Sequence, residues 1–338
     1  MSDNILVIGP AWIGDMVMAQ SLFKLLKDRR RHARIDVVAP AWTEPLLARM
    51  PEVHESLFLP ARHGQLALGL RWQLGRRLRH RHYDQAIVLP DSLKSAFVPF
   101  IASAHRRTGF LGEYRWGLLN DIRHLDKKKL PRRVDRYVSL GLKPGEPTPT
   151  TIPDPRLTVS RARALAVLGR LGQEMPKSPV LGLCPGAEYG PTKRWPAVYF
   201  AEVANAKLAE GWRVWLFGSN KDAAITAEIQ AMTDGRCVDL GGRTSLDECI
   251  DLMSLLTAVV TNDSGLMHVA AGLDRELVAI YGSTDPGYNP PLHPHAKILY
   301  LNLVCSPCYE RECPLGHLRC LRDLKPERVL EHLDAQVS

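Results

Sequence analysis

Four stretches of this sequence bring together residue types that could do chemistry. The first, Gly9-Pro-Ala-Trp-Ile-Gly14-Asp15, closes an apolar run and carries a single carboxylate. Asp15 admits two readings there: an N-terminal helix cap, or a base standing where a ligand would meet the end of a strand. No Lys-Ser/Thr pair follows the second glycine and no G-x-G-x-x-G is present, so this is neither a Walker A loop nor a dinucleotide fingerprint. The second stretch is Pro185-Gly186-Ala187 followed by EYGPTKRWP, which sets Thr192, Lys193 and Arg194 just before a helix expected near Ala197. A helix N-terminus flanked by hydroxyl and ammonium donors is a ready phosphate site, although a solvated Lys-Arg pair is the plainer reading. In the third, TNDSGLMH, Asp263 or Ser264 could cap a helix. The Ser264-Gly265 turn could also offer backbone N–H groups to a diphosphate, while His268 reads most simply as a core histidine. The fourth places Cys305, Cys308, Cys313 and Cys320 within sixteen residues, with His317 among them. In a chain read as cytosolic, disulfides are disfavoured, so these are either a structural zinc set or reduced thiols.

The elements around these stretches alternate. Apolar runs ended by proline or glycine, at 4–10, 34–40, 53–60 and 83–90, read as strands buried on both faces of a parallel sheet. Met16, Ala19, Leu22, Phe23, Leu25 and Leu26 recur at helical spacing, and the basic stretch Lys27–Arg31 suits the end of that helix. Five prolines between Pro144 and Pro155 resist both helix and sheet and mark a semi-rigid connector. Strands are expected again at 180–187, 213–218, 237–241, 258–262 and 276–282. The result is two Rossmann-like doubly wound α/β domains, 1–155 and 156–338, with a final helix at about 325–337 that could pack back on the first domain. Ligands of such sheets bind outside the carboxyl ends of the strands, which is where three of the four stretches lie.

The 338 residues suit two domains, and 45% apolar with 24% charged residues excludes disorder and coiled coil. No apolar stretch reaches the 18 or so residues of a membrane span, and the N-terminus is not read as a signal peptide, so a cytoplasmic location is expected. The formal charge is +8, unevenly placed: residues 1–150 hold 25 basic and 14 acidic side chains, leaving a small acidic excess for the rest. The basic half fits an anionic partner, either nucleic acid or an anionic lipid surface.

Five segments carry a resemblance: ILVIGPAWIGDMVMAQSL, YDQAIVLPDSLKSAFVPF, RTGFLGEYRWGLLND, LCPGAEYGPTKRWP and VTNDSGLMHVAAGLDRELVAIYG. Together, and in this order, they make the chain similar to the bacterial heptosyltransferases of lipopolysaccharide core synthesis, and the likeness covers nearly its whole length. The resemblance implies a GT-B fold whose two domains face a cleft, with acceptor on the N-terminal domain and ADP-heptose on the C-terminal one. It implies heptosyl-Kdo2-lipid A as acceptor, association with the inner face of the cytoplasmic membrane, no nucleic acid, and no cofactor for the chemistry. On it, Asp15 is the general base of an inverting transfer. Thr192, Lys193, Asp263, Ser264, Gly265 and His268 are donor-binding, and Ser92, Lys94, Ser95, Arg107 and Arg115 acceptor-binding. Another heptosyl- or hexosyltransferase of the same fold is the nearest rival. A zinc-containing nucleic-acid binder is the rival of another class; against it, the basic residues are not expected to cluster with exposed aromatics, and a binder has no use for two glycine-aspartate loops facing a cleft.

Overall fold

The computed structural model describes residues 3–60 and 65–337. The chain divides at the proline-rich connector into two compact units, 1–155 and 156–338. In the first unit the strands are β1 (Asn4–Ile8), β2 (Arg34–Ala39), β3 (Val53–Phe58), β4 (Gln85–Val88), β5 (Arg106–Phe110) and β6 (Asp121–Arg123). Between and after them lie α1 (Ile13–Arg29), α2 (Glu44–Leu47), α3 (Leu68–Leu78), α4 (Phe97–Ile101) and α5 (Arg133–Leu140). The sheet is parallel in the order β3-β2-β1-β4-β5-β6. The chain therefore leaves β1 in one direction and returns to its other side at β4, which makes the gap between them a topological switch point.

The second unit repeats the plan with α6 (Arg161–Arg170), β7 (Val180–Cys184), α7 (Ala197–Ala209), β8 (Arg213–Leu216), α8 (Ala223–Met232) and β9 (Val238–Asp239). It continues through α9 (Leu246–Met253), β10 (Ala258–Asn262), α10 (Gly265–Gly272), β11 (Glu276–Tyr281), β12 (Lys297–Tyr300), α11 (Arg319–Arg322) and α12 (Pro326–Val337). Its order, β12-β11-β10-β7-β8-β9, puts the switch point between β7 and β10. The closing helix α12 lies on α7 and β11, inside the second unit.

The central strands are buried along their length: NILVI, VLGLC and AVVTN have almost no exposed position, as expected when helices cover both faces of the sheet. Each such Val, Leu or Ile removed from water contributes about 1.5–3 kcal/mol, so these strands are the least movable parts of either unit. Three strands escape the sequence pattern. β5 opens with two arginines, while β6 and β12 are edge strands of three and four residues, too short and too polar to read as buried runs.

Candidate active site

The β1–α1 turn places Asp15 relative to the end of the helix. Trp12 is the N-cap: its backbone is extended, its carbonyl accepts the Met16 N–H at 2.9 Å, and its side chain makes no cap hydrogen bond. Asp15 therefore lies inside the first turn of α1, not at the cap. The carboxylate gains from the positive end of the helix, and one oxygen lies 3.5 Å from Nε of Arg133, at the start of α5. Both line a cavity of about 400 Å³ beyond the carboxyl ends of β1, β2 and β4, with Arg71, Ser92, Lys94 and Tyr137 around it. Trp42 closes one side and donates its indole N–H to the Ala11 carbonyl at 2.8 Å, fixing the turn that presents Asp15. The cavity is lined by two carboxylates, Asp15 in the first turn of α1 and Asp91 after β4, and by three cationic side chains, Arg71, Lys94 and Arg133. That is a fit for an anionic ligand bearing a hydroxyl to be deprotonated.

The residues expected to bind an acceptor separate into three kinds. Ser92 and Lys94 line the cavity, and Lys94 also donates to the Gln65 carbonyl at 3.2 Å. Ser95 reaches the wall, but its hydroxyl is held at the Ser92 and Pro90 carbonyls. Arg115 is fully buried and donates to the carbonyls of Pro90, at 2.7 Å, and Phe110, and to Ser95 Oγ. Burial lowers its pKa. It braces the wall after β4 from behind and is no ligand contact in this state. Arg107 is elsewhere: its guanidinium donates to the Leu118 and Ala104 carbonyls, and it borders a separate, shallow recess with Trp72, Arg76 and Phe100. Arg71, Arg133 and Tyr137 were not anticipated. Their helices α3 and α5 are distant in sequence from the β1 turn, and only packing brings them to it.

In the second unit the switch point gathers three loops. Lys193, from the loop after β7, places Nζ 2.5 Å from Oδ2 of Asp263, after β10; Thr284, after β11, donates to the same oxygen at 2.6 Å. Lys193 also stands over the Tyr189 ring, 5.0 Å from its centre. Asn262, wholly buried, accepts the Trp195 N–H and donates to the Pro185 carbonyl, tying the β7 loop to β10. Gly282 is required where it stands: a Cβ there would lie 2.6 Å from the Thr192 carbonyl oxygen. Ser264 is the N-cap of α10, yet its side chain makes no cap bond, and no acidic residue occupies the first turn from Gly265. The N–H groups of that turn therefore take no side-chain cap and no first-turn carboxylate.

Two expected donor residues take different parts. Thr192 is 1% exposed and its hydroxyl donates to the Glu310 carbonyl at 2.5 Å, so it anchors the 310–311 segment and does not point at a phosphate. His268 is buried, and desolvation, with Lys193 adding to it, brings its pKa down to about 4 against the opposing pull of Asp263; at neutral pH it is an uncharged member of the wall. The Thr284 hydroxyl is the contact that the sequence reading missed, although its place just past a buried strand was the available signal.

The expected zinc set does not form. All seven cysteines are free thiols, and among the described residues no three of Cys305, Cys308, Cys313 and Cys320 bring their sulfurs within 4.8 Å of one another. A closed tetrahedral site needs four such ligands, so this arrangement does not fit one. The backbone N–H of Leu318, with those of Leu315, His317 and Gly316, instead holds the Cys313 thiol below its usual range, while burial pushes Cys320 up to about 11. The single metal-like group among the described residues is Asp36, His54 and Glu55. Arg81 already fills it, donating to Asp36 at 2.8 Å and to Glu55 at 2.6 Å, and Tyr83 donates to Asp36 at 2.6 Å. This is an internal ion-pair brace.

The profile of glycosyltransferase family 9 (heptosyltransferase) matches residues 71–319. The chain belongs to this family. It is 45% identical to lipopolysaccharide heptosyltransferase 2 of Escherichia coli, over 98% of both chains. It is 46% identical to lipooligosaccharide heptosyltransferase 2 of Haemophilus influenzae, again over 98% of each. Among solved structures, E. coli ADP-heptose lps heptosyltransferase II superposes with a TM-score of 0.88 at 43% identity, covering 98% of each chain. A family 9 glycosyltransferase from Veillonella parvula, at 20% identity and a TM-score of 0.87, shares the fold. The two six-stranded parallel sheets are thus those of a GT-B heptosyltransferase, and the chain is a glycosyltransferase.

Proposed function

We propose that this heptosyltransferase moves L-glycero-D-manno-heptose from ADP-heptose to heptosyl-Kdo2-lipid A, with inversion at the anomeric carbon, at the inner face of the cytoplasmic membrane. Substrate identity rests on the full-length likeness to heptosyltransferase 2 of E. coli and H. influenzae. The observation that carries the chemistry is the placement of Asp15 within the first turn of α1, lining a cavity with Arg71, Lys94 and Arg133. An acceptor bearing phosphates and Kdo carboxylates is the anion such a cavity suits, and the first unit carries the molecule's basic excess.

The step is a single displacement. An acceptor hydroxyl oxygen bonds to the anomeric carbon as its proton passes to the Asp15 carboxylate. The bond from that carbon to the diphosphate oxygen breaks, and ADP leaves with the electron pair. An aspartate is a weak base toward a free sugar hydroxyl, but the hydroxyl acidifies as its oxygen bonds to carbon, so the proton can move late. One carboxylate suffices, unlike the paired carboxylates of glycoside hydrolysis. The second unit supplies charge for the leaving group: Lys193, held ready by Asp263, and the N–H groups of the Ser264-Gly265 turn. Asp263 then exchanges Lys193 for the donor sugar's hydroxyls.

The test is turnover by purified protein with ADP-heptose and heptosyl-Kdo2-lipid A, read as the mass of one added heptose and the configuration of the new bond. Transfer with inversion is expected. Turnover only with a hexose nucleotide, or only with an acceptor lacking the first heptose, overturns the assignment. Among the described residues no helix is long and apolar enough to cross a membrane.

A further inference from the structure

The α3–α4 face of the first unit has no part in either switch-point site, and its composition is one-sided. Residues 56–83 contain six arginines and no aspartate or glutamate, and residues 92–112 are also free of acidic side chains. The two helices pack closely where Gly75 meets Ile101, since a Cβ on Gly75 would stand 2.7 Å from Cβ of Ile101. On α3 the inward stripe is Arg71, Leu74, Gly75 and Leu78, all buried. The outward stripe runs Leu68, Trp72, Arg76, Arg79 at spacings of four, four and three, grading from apolar to basic along one line. Leu68 is 48% exposed and Trp72 53%, and Phe100 at the end of α4 is 45% exposed. Arg76 stands over the Trp72 ring at 5.2 Å and Arg107 over Phe100 at 5.5 Å, so the cations and aromatics form one layer. They border a recess of about 570 Å³ with Arg79 and His105 at its edge.

We propose that this face is the surface by which the protein rests on an anionic lipid bilayer, with Trp72, Phe100 and Leu68 entering the interface and Arg76, Arg79 and Arg107 meeting lipid phosphates. Charge complementarity selects this occupant: an acid-free patch of arginines attracts an anionic surface. The aromatic and leucine side chains beside the arginines suit the boundary between headgroup and acyl chain, where amphipathic rings sit. A nucleic acid would use the arginines but leave Leu68 in water. The inference deepens the reading of a lipid-borne acceptor and rests on it.

The experiment is sedimentation of the full chain with vesicles of phosphatidylglycerol and phosphatidylethanolamine, beside vesicles of phosphatidylcholine, at low and high salt. Wild-type protein is expected to bind the anionic vesicles, more weakly at high salt, and to bind phosphatidylcholine poorly. Arg76→Gln with Arg79→Gln should weaken anionic binding by roughly thirtyfold, the scale of two basic side chains at such a surface. Trp72→Ser with Phe100→Ser should weaken binding at every salt concentration. All four positions are exposed, and an unchanged circular dichroism melt confirms that each pair folds. Trp116→Ser, exposed in another loop, serves as the control and should bind as wild type. Wild-type binding by both double variants overturns the proposal, as does tighter binding of a duplex oligonucleotide than of anionic vesicles. Turnover on detergent-dispersed acceptor separates the two claims. Variants that lose vesicles but keep this turnover support the docking face; variants that lose turnover while still binding vesicles assign the patch to the acceptor and overturn it. If wild-type protein has no activity in detergent, the substrate assignment fails while the vesicle result still stands or falls by itself.

Discussion

Each unit carries an aspartate in the turn that follows a central strand, and the two are held in opposite ways. Asp15 sits in the first turn of α1, with the Arg133 guanidinium at 3.5 Å and a cavity in front of it. Asp263 is buried and receives both the Lys193 ammonium, at 2.5 Å, and the Thr284 hydroxyl, at 2.6 Å, on one oxygen. A carboxylate already engaged by two close donors is a poor proton acceptor and a good clamp. Asp15 instead lies at a helix terminus, faces a cavity and has its cation at a longer distance, which suits proton transfer better than clamping. On the proposed mechanism, the same local motif, an aspartate after a buried strand, serves as a base in one unit and as a positioning group in the other.

The largest effect that would break this contrast is on Asp15. Asp15→Asn keeps the shape and removes the charge, and should lower turnover by roughly two to four powers of ten while ADP-heptose binding by calorimetry persists. Near-normal turnover would end its role as base. Asp263→Asn tests the other side, since a clamp should show in donor affinity as well as in rate. Lys193→Ala should cost roughly two to three powers of ten in turnover, as for one preorganised donor at a leaving group, together with weaker ADP binding. Wild-type kinetics would place the leaving-group charge elsewhere.

A smaller effect reads the burial of the second cluster. The folded pKa of His268 lies near 4, below the ordinary 6.5, so between these values the unfolded chain takes up a proton that the folded chain refuses. Its stability contribution is complete above about pH 6.5 and is lost as pH falls toward 4, by roughly 3 kcal/mol in all. Urea unfolding from pH 7.5 to 4 should show this slope. His268→Gln should flatten it, and an unchanged slope would assign it to other groups. The smallest expected effect is in the first unit. Arg115→Met should cost about 2 kcal/mol of stability through the carbonyls it leaves unmet, with little change in acceptor KM at a temperature where it stays folded. A large rise in KM with intact stability would return Arg115 to the acceptor.

The likeness between the units was legible because it rests on local signals. Continuous apolar runs such as NILVI and AVVTN, each followed by a turn and an amphipathic segment, specify parallel strands with crossovers before any contact is known. The five prolines marked the division for the same reason, since proline cannot continue either regular element. β6 and β12 were not legible, because edge strands of three and four residues owe their place to a neighbour's unpaired backbone and not to their own side chains.

By itself, the sequence determined where chemistry could sit: Asp15, Lys193, Asp263 and the Ser264-Gly265 turn all follow strands, and strand ends are where open sheets present ligands. It could not say which polar side chains remain available. Thr192, Ser95 and Arg115 have the right types at the right loops, yet each is consumed by a backbone carbonyl, because a buried donor must find an acceptor and the nearest is main chain. Nor could it group the four cysteines, whose spacing suggests a metal set while, among the described residues, no three of their sulfurs lie within 4.8 Å of one another. Arg133 and Thr284 show the converse. Nothing around Arg133 marks it, and the place of Thr284 just past a buried strand does not say what it meets; they reach Asp15 and Asp263 only because α5 packs on α1 and β11 pairs with β10. Spacing along a chain fixes distances over one or two turns of helix. Distances across a sheet are fixed by which strands pair, and that was decided only when the two sheets formed.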